Sequence, residues 1–427
     1  MTLSEETVRA YVGILEEELV AAMGCTEPIA IAYAAARLRE TLGALPERVL
    51  AEVSGNIIKN VKSVVVPNTG GLKGIKAAVA AGAVAGEADQ LLQVISRVPQ
   101  EKHGDIARFV EEVPVEIAYA HTSRLLDIRL TGWAGEHSAM IRIADSHSNI
   151  VRVERDGEIL LDRPLTEAAG DSGTEKSLLT VADILDFADT VDLDQVRELL
   201  DRQIDYNTAI AREGLKGNWG ANIGSVLLGD YPTDIKTEAK AWAAAGSDAR
   251  MSGCEMPVVI LSGSGNQGIT ASVPVIRYAD HLGVSREKLY RALLVSDLVT
   301  IHQKSGIGRL SAYCGAISAG VGAGAGIAYL LEGTYEAIAH TIVNAVAILS
   351  GTICDGAKPS CAAKIAASVD AGILGYHMWR NHQEFKSGDG IVTKGVDNTI
   401  ANVGVLAKEG MRQTDQIILD IMTHRCV

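Results

Sequence analysis

The chain has 427 residues, of which 47% are hydrophobic and 22% charged, an ordinary balance for a folded protein with a large core. Its net charge of -14 argues against nucleic acid or an anionic membrane as a partner, because both require a positively charged surface. Aromatic residues make up only 4%, whereas there are 43 glycines and many alanines. Small residues let helices approach closely, so we expect a tightly packed helical body.

The first residues carry acidic side chains throughout and show no apolar segment of the kind found in secretory signals. The Ala/Gly-rich run over residues 318–331 is too short and too rich in glycine to span a bilayer. A cytoplasmic protein is therefore expected. Its six cysteines would then lie in a reducing compartment, where metal ligation or catalysis is more common than a disulfide.

Residues 4–42 predict two helices separated by a break. Ser4 precedes an acidic first turn, which is typical of a helix start, and apolar residues continue with helical spacing as far as Ala22. The pattern breaks at residues 24–28 and then resumes. Cys25 is therefore expected between two helices, with Pro28 in the first turn of the second.

The next part of the chain changes character twice. Residues 51–77 are rich in turn-forming residues around a β-branched run. A helix is predicted near residues 104–112, and after it apolar and polar residues alternate with a period of two as far as residue 162. This alternation is typical of a meander of half-buried strands.

Helical periodicity returns from about residue 174 and persists to the end, interrupted by turns at residues 262–268 and 351–360. The predicted fold class is α+β, with a mainly α-helical catalytic body and a small inserted α+β domain. We expect the body over residues 1–85 and 170–427 and the insert over residues 86–169.

Cysteines in the C-terminal half are the first candidates for a chemical role, namely Cys314, Cys354 and Cys361. Thiolates are the ligands that iron–sulfur clusters need, and three of them leave one iron open for substrate. Their spacing is not that of a ferredoxin. Because they contain no CxxC pair, the three cysteines are also poor candidates for a zinc finger. On spacing alone, buried inert cysteines are the commoner interpretation.

Cys25 is the second candidate, in the segment GCTEP at residues 24–28. A cysteine at a helix N-terminus feels the positive end of the helix dipole, which predicts a lowered pKa. Such a thiolate could act as a further metal ligand, a nucleophile or a general base. A small residue that fills a helix junction is the structural alternative.

The glycine-rich segment SGSGNQG at residues 262–268 formally matches a dinucleotide-binding pattern. We reject that interpretation because no strand–helix–strand pattern surrounds the segment. A loop of backbone N–H groups and small hydroxyls that holds a carboxylate fits better, with a simple glycine turn as the structural alternative.

Polar residues also stand out near residues 54–71. Lys59 could pair with a substrate carboxylate and Asn56 could orient it, although a solvated loop explains both equally well. Among the histidines, His302 is the best acid–base candidate, because it lies near Cys314 in the sequence.

Five blocks together carry a family resemblance. They are GCTEPIA (24–30), SGNIIKNVKSVVVPNTGG (54–71), SGSGNQG (262–268), the segment around Cys314, and SGTICDGAKPSCAAK (350–364). With these blocks the sequence resembles the L-cysteine desulfidase family, which is related to the α chain of the iron–sulfur L-serine dehydratases.

The resemblance implies an oxygen-sensitive [4Fe–4S] cluster and the α,β-elimination of L-cysteine to pyruvate, ammonia and sulfide. It implies a further functional cysteine at Cys25, to which we assign the role of base. The cluster ligands that it implies are Cys314, Cys354 and Cys361. Our candidates for holding the substrate carboxylate and amine are Asn56, Lys59, Ser262, Ser264 and Asn266.

Two other functions remain open at this point, an iron–sulfur L-serine dehydratase and a non-catalytic cluster-binding redox sensor. Cys426 is a further hypothesis, because a C-terminal cysteine caps the cluster in the related serine dehydratases, and an exposed tail thiol is its alternative. The insert resembles a small regulatory or dimerisation module, so a homodimer is one expected assembly.

Overall fold

The computed structural model describes residues 3–120, 122, 124–165, 174–308 and 311–422 of the chain. The α-helices of these residues are α1 (Glu5–Glu18), α2 (Thr26–Leu42), α3 (Gly55–Val61), α4 (Gly74–Ala85), α5 (His103–Glu112), α6 (Val181–Thr190), α7 (Arg197–Gly214), α8 (Ile223–Asp230), α9 (Ile235–Met251), α10 (Gly265–Leu282), α11 (Arg286–Ile307), α12 (Gly315–Leu331), α13 (Tyr335–Leu349), α14 (Ser360–Arg380), α15 (Val396–Val405) and α16 (Arg412–Met422). None of the described helices combines the length and apolar character needed to cross a membrane.

The strands are shorter and concentrate in the first half of the chain. They are β1 (Ala21–Met23), β2 (Arg48–Val53), β3 (Val115–Tyr119), β4 (Asp127–Ala134), β5 (His137–Ala144), β6 (Ile150–Arg155), β7 (Glu158–Asp162) and β8 (Pro257–Val259). Short 3-10 helices lie at Ala88–Gln93, Gln100–Lys102, Lys176–Leu178 and Leu193–Gln195, and a π-helical turn lies at Leu406–Gly410. The predicted fold class, α+β with a mainly helical body, is confirmed.

Six strands form one sheet in the order β3-β2-β4-β5-β6-β7. Strands β4 to β7 run antiparallel to one another as the alternating pattern predicts. Strand β3, which the same pattern placed in the meander, instead pairs parallel with β2. Alternate residues such as Ile128 and Leu130 of β4 are buried, because successive side chains of a strand point to opposite faces. Helix α2 packs on β4 and β5 and covers the buried face.

The two N-terminal helices form as predicted. The Ser4 hydroxyl accepts a hydrogen bond from the N–H of Thr7 at 3.1 Å and caps α1. Cys25 is the residue before α2, and Pro28 lies in the first turn of that helix. One detail differs from the sequence pattern, since Ala22 belongs to a strand rather than to a helix. It lies in β1, which pairs antiparallel with β8 and so satisfies its backbone groups across the chain.

The buried apolar residues divide into two large cores. One is helical and includes residues of α1, α7 and α9 to α15. The other surrounds the sheet and begins at Ile29 in α2, well before the predicted insert at residues 86–169. The reason is the pairing of β2 with both β3 and β4, which brings the segment before the insert into the same core.

Small residues bring helices of the body into close contact, as the composition predicts. A Cβ atom at Gly372 of α14 would lie 2.3 Å from the carbonyl oxygen of Gly320 in α12. No real side chain tolerates that distance from a backbone atom. Glycine at this crossing therefore allows α12 and α14 to pack backbone against backbone.

Candidate active site

One cavity lies where the two cores meet, with a volume of about 110 Å³. The predicted site residues that line it are Cys25, Asn56, Lys59, Ser264, Asn266, Cys314, Cys354 and Cys361. Ser262 is buried but lies outside this wall, at the turn that precedes α10. Segments far apart in the chain thus converge on one space.

A pair of backbone hydrogen bonds holds Cys314 and Cys354 side by side. The N–H of Cys314 donates to the carbonyl of Thr352 at 3.0 Å, and the N–H of Cys354 donates to the carbonyl of Ala312 at 2.6 Å. Between them, Tyr313 and Ile353 form an antiparallel bridge. The bridge fixes the two thiol-bearing residues as neighbours although they lie 40 positions apart.

The loop from Cys354 to Cys361 is fastened by Asp355. Its carboxylate pairs with Lys358 at 2.5 Å and with Lys364 at 2.7 Å. Gly356 within the loop has a φ of 93°, and a Cβ atom there would lie 2.1 Å from the carbonyl oxygen of Lys59. Glycine is therefore required where the cysteine loop touches α3.

Cys361 lies in the first turn of α14 and completes the set of thiols. Its sulfur lies 3.7 Å from the carbonyl oxygen of Gly356, to which the thiol donates. Cys25 packs with Val64 and Met251 in a small buried cluster that also contacts Cys361. This cluster joins the sheet side of the molecule to the helical side at the cavity.

The protonation of Cys25 differs from the prediction. Burial raises the pKa of its thiol to about 12, the charges of Glu27 and Cys361 raise it further, and Arg250 opposes them. The prediction of a lowered pKa from the helix dipole is therefore wrong. The side chain is only 2% exposed, and loss of hydration outweighs the helix terminus.

The glycine segment forms a loop that leads into the N-terminus of α10, with Ser264 as the residue before the helix. Thr26 of α2 donates a hydrogen bond to the carbonyl of Gly263 at 3.4 Å, which ties the two helix starts together. The preceding strand β8 pairs antiparallel with β1, and within the described residues no other strand joins that sheet. The rejection of a dinucleotide fold is thus consistent with the topology.

Several polar residues of the wall were not singled out in the sequence, notably Glu27, Arg250, Gln267 and Lys304. Lys304 is buried, and burial lowers its pKa to about 8, against the raising effect of Cys354 and Cys314. Arg250 donates to the side-chain oxygen of Asn266 at 3.2 Å. The sequence contains one signal for such a buried polar residue. Lys304 is a charged residue on a helix, and Ile301 and Ile307, three positions before and after it, are apolar.

His302, the predicted acid–base candidate, belongs to a different contact. Its Nε2 atom lies 2.8 Å from a carboxylate oxygen of Asp397 in α15. The same oxygen accepts a hydrogen bond from the N–H of Val181 at 3.1 Å. His302 therefore links α11, α15 and α6 and is absent from the cavity wall.

The chemistry of the three thiols suits an iron–sulfur cluster, because the irons of such clusters take thiolate ligands. Within the described residues, no group of three or more His, Cys, Asp or Glu is arranged to hold one metal ion. Cys314, Cys354 and Cys361 are free of disulfides and share a cavity with three cations, Lys59, Arg250 and Lys304, which would balance an anionic cluster.

A bound metal centre would have to favour deprotonation of the Cys314 thiol. Burial raises the pKa of this thiol to about 12, and the neighbouring Cys354 raises it further. Thiolates bind metal, so a bound cationic centre is the interaction that would favour deprotonation here. Cys426, the hypothetical cap, lies outside the described residues.

Comparisons with known proteins assign the chain to a family. The family model described as serine dehydratase alpha chain matches residues 68–420. A UPF0597 protein of Desulfitobacterium hafniense is 58% identical over 426 residues, covering 100% of this chain and 99% of that protein. UPF0597 proteins of Lachnoclostridium phytofermentans and Treponema denticola are 50% and 45% identical, covering 97% and 99% of this chain and 100% and 99% of those proteins. The chain therefore belongs to the serine dehydratase alpha chain family, a family of lyase-like enzymes that in general depend on iron–sulfur cofactors.

Proposed function

We propose that the protein is an L-cysteine desulfidase that eliminates sulfide from L-cysteine and yields pyruvate and ammonia. The observation that supports this most is the meeting of Cys25 with Cys314, Cys354 and Cys361 around one cavity. Three thiols suffice to hold a [4Fe–4S] cluster with one open iron, which leaves Cys25 for the substrate side. A cytoplasmic location and a homodimer stay predictions from the sequence.

The bound cluster would supply a Lewis acid for the departing sulfur or for the carboxylate. A residue of the chain carries out the proton transfer. The sulfur of Cys25 accepts the Cα proton, the Cβ–S bond breaks, and its electron pair leaves with sulfide. The aminoacrylate that remains is hydrolysed to pyruvate and ammonia in water.

Arg250 is assigned to support Cys25 as a base. Its positive charge lowers the pKa of this thiol, against the larger effect of burial. Arg250 is itself buried, so its field is weakly screened by water. The thiolate, once formed, lies in a water-poor cavity, where it is a strong base.

L-Serine dehydratase is the second candidate, and the family description favours it directly. The same cavity would hold the cluster, and hydroxide would be the leaving group instead of sulfide. The segment GCTEPIA at the start of α2 favours the desulfidase, because it carries the resemblance to that family.

A side-by-side assay of the reconstituted enzyme separates these functions. We expect sulfide release from L-cysteine to have a higher kcat/KM than pyruvate release from L-serine. Faster turnover of serine would replace the desulfidase with the dehydratase. Turnover of neither amino acid by a protein with an intact cluster would leave the redox sensor as the function.

A further inference from the structure

Three side-chain atoms in the cavity wall are buried and have no hydrogen-bond partner. They are Asn56 Oδ1, Gln267 Oε1 and Arg250 Nε. Asn56 is 7% exposed and Gln267 5%, and Arg250 is buried as well. Buried polar atoms of proteins are nearly always paired, so the concentration of these three in one wall requires an explanation.

The chemistry of these atoms is complementary to an amino acid. The two amide oxygens are neutral acceptors, and the guanidinium nitrogen is a cationic donor. An α-amino acid carries an ammonium group with three N–H donors and a carboxylate that accepts. The sulfides and thiolates of a cluster are themselves hydrogen-bond acceptors, so the two amide oxygens cannot form hydrogen bonds with the cofactor.

We propose that Asn56 and Gln267 bind the α-ammonium group of the substrate through their side-chain oxygens, and that Arg250 binds its carboxylate. This inference rests on the proposed function, because it identifies the recognition elements of that same cavity. It extends the site to Gln267, which lies in the segment SGSGNQG but is not among the predicted substrate residues, and it assigns Asn56 to the ammonium group.

Close packing holds Gln267 beside the predicted ligands. A Cβ atom at Gly315, the residue after Cys314, would lie 2.6 Å from the side-chain carbon Cδ of Gln267 and 2.7 Å from its Nε2. The carboxamide thus lies flat against the first turn of α12. A fixed acceptor loses little conformational entropy when it binds, which suits a group that orients a small ligand.

Arg250 is held in a similar way. A Cβ atom at Gly265 would lie 2.2 Å from Arg250 Nε. The guanidinium therefore occupies, at the start of α10, the space that a side chain at Gly265 would need. Arg250 also donates to Asn266. Of the other charged groups in the wall, Lys59 pairs with Asp415 at 2.5 Å and Glu27 accepts from Asn60 at 2.9 Å, whereas the buried Lys304 lies near Cys314 and Cys354.

The test compares ligands that differ only in the ammonium group. L-Cysteine and 3-mercaptopropionate share the thiol and the carboxylate. In the reconstituted enzyme, Gln267→Met should raise the KM for L-cysteine by about tenfold or more, because a hydrogen bond to a charged group is lost. The inhibition constant of 3-mercaptopropionate should change by less than about twofold, since this ligand makes no such bond.

Two further variants serve as controls. Gln267→Glu keeps an acceptor and should retain the preference for L-cysteine. Gln203→Met removes another buried glutamine whose Oε1 also lacks a partner, but Gln203 contacts Asp297 outside the cavity wall. It should leave the ratio of the two ligand constants unchanged. Equal weakening of both ligands by Gln267→Met, with the cluster absorbance intact, would overturn the proposal.

A measurement without turnover separates this inference from the proposed function. L-Alanine and propionate differ by the ammonium group and have no leaving group. L-Alanine should raise the melting temperature of the wild-type enzyme more than propionate does, since a ligand stabilises the state that binds it. Equal shifts, or no shift with either, would refute the ammonium site even if variants fail to fold. Selective stabilisation by L-alanine without elimination activity would refute the desulfidase alone.

Discussion

The two cores of the molecule contribute different parts of the site. The sheet side carries Asn56 and Lys59 on α3, and α2 of that side begins directly after Cys25. The helical side carries Cys314 directly before α12, Cys354 between α13 and α14, and Cys361 in the first turn of α14. The predicted cofactor ligands thus all lie on the helical side, whereas the substrate groups come from both sides, since Arg250 lies in α9 and Gln267 in α10. Variants of the cofactor ligands and variants of the substrate groups should therefore fail in different ways.

The largest expected effect is on activity. Cys354→Ser should abolish the cluster and lower kcat by more than about 100-fold, beyond the 10–100-fold cost typical of changes around a metal site. Cys25→Ala should lower kcat similarly and keep the cluster, because we place Cys25 on the substrate side. Iron and sulfide analysis together with visible absorbance would distinguish the two.

Cys254→Ala is the matched control for both variants. Cys254 is a buried free cysteine outside the cavity wall, so its loss should leave the iron content and kcat unchanged. Loss of the cluster in Cys25→Ala would contradict the assignment of Cys25 to the substrate rather than to the cluster.

The next largest effect concerns the ion pair that joins α3 to α16. The side chain of Lys59 is 2% exposed and that of Asp415 is 29% exposed. Asp415→Asn leaves a buried ammonium group unpaired and should lower the free energy of unfolding by about 3 kcal/mol. Lys59→Met leaves a carboxylate that water can reach and should cost only about 1 kcal/mol. Urea denaturation of both variants measures the difference, and equal losses would contradict it.

Glycines of the two cores should differ in their tolerance of a methyl group. Gly372→Ala on the helical side meets the backbone of Gly320 and should destabilise by about 2 kcal/mol. Gly132→Ala on the sheet side meets the movable Leu38 side chain at 2.9 Å and should cost less, about 1 kcal/mol. Gly229→Ala in α8 meets nothing within 4 Å and should stabilise by about 0.5 kcal/mol. The reverse order in thermal unfolding would contradict backbone packing as the constraint.

Buried carboxylates also differ between the two sides. Asp127 in the sheet accepts two hydrogen bonds from Arg142, at 2.9 and 2.6 Å. Asp297 in the helical core is bound by the amide of Gln203 at 2.9 Å, and burial raises its pKa to about 7. The folded chain therefore holds a proton on Asp297 that the unfolded chain releases above pH 3.8.

The free energy of unfolding should thus fall as the pH rises from about 4 to about 7, with a slope of at most about 1.4 kcal/mol per pH unit from this group. Asp297→Asn has no proton to lose and should show a flatter profile in that range. Chemical denaturation across the range measures the difference between the variant and the wild type. Identical profiles would show that Asp297 ionises normally in the folded protein.

Local patterns were the most predictable part of the fold. The alternation in β4 and β5 and the cap at Ser4 follow from side-chain periodicity and hydrogen bonding within a few residues. The pairing of β2 with β3 and of β1 with β8 could not be predicted in this way, because each depends on contacts between distant segments. The sheet core therefore starts earlier in the chain than the strand pattern indicated.

The site shows the same limit. The family blocks drew attention to Cys25, Cys314 and their partners. Gln267 lies in the block SGSGNQG but is not among the predicted site residues, and Arg250 lies in α9, outside every block. The pKa of Cys25 was predicted in the wrong direction because the helix dipole is visible in a sequence and burial is not. His302 was close to Cys314 along the chain but contacts Asp397 in space.

The central claim is that the thiols of the helical side hold an iron–sulfur cluster that the elimination requires. The most direct measurement is anaerobic reconstitution of the metal-free protein with iron and sulfide, followed by an assay of sulfide release from L-cysteine. We predict that activity rises in proportion to the cluster bound and is absent from the metal-free protein. Full incorporation of iron and sulfide with no gain in activity over the metal-free protein would contradict the account.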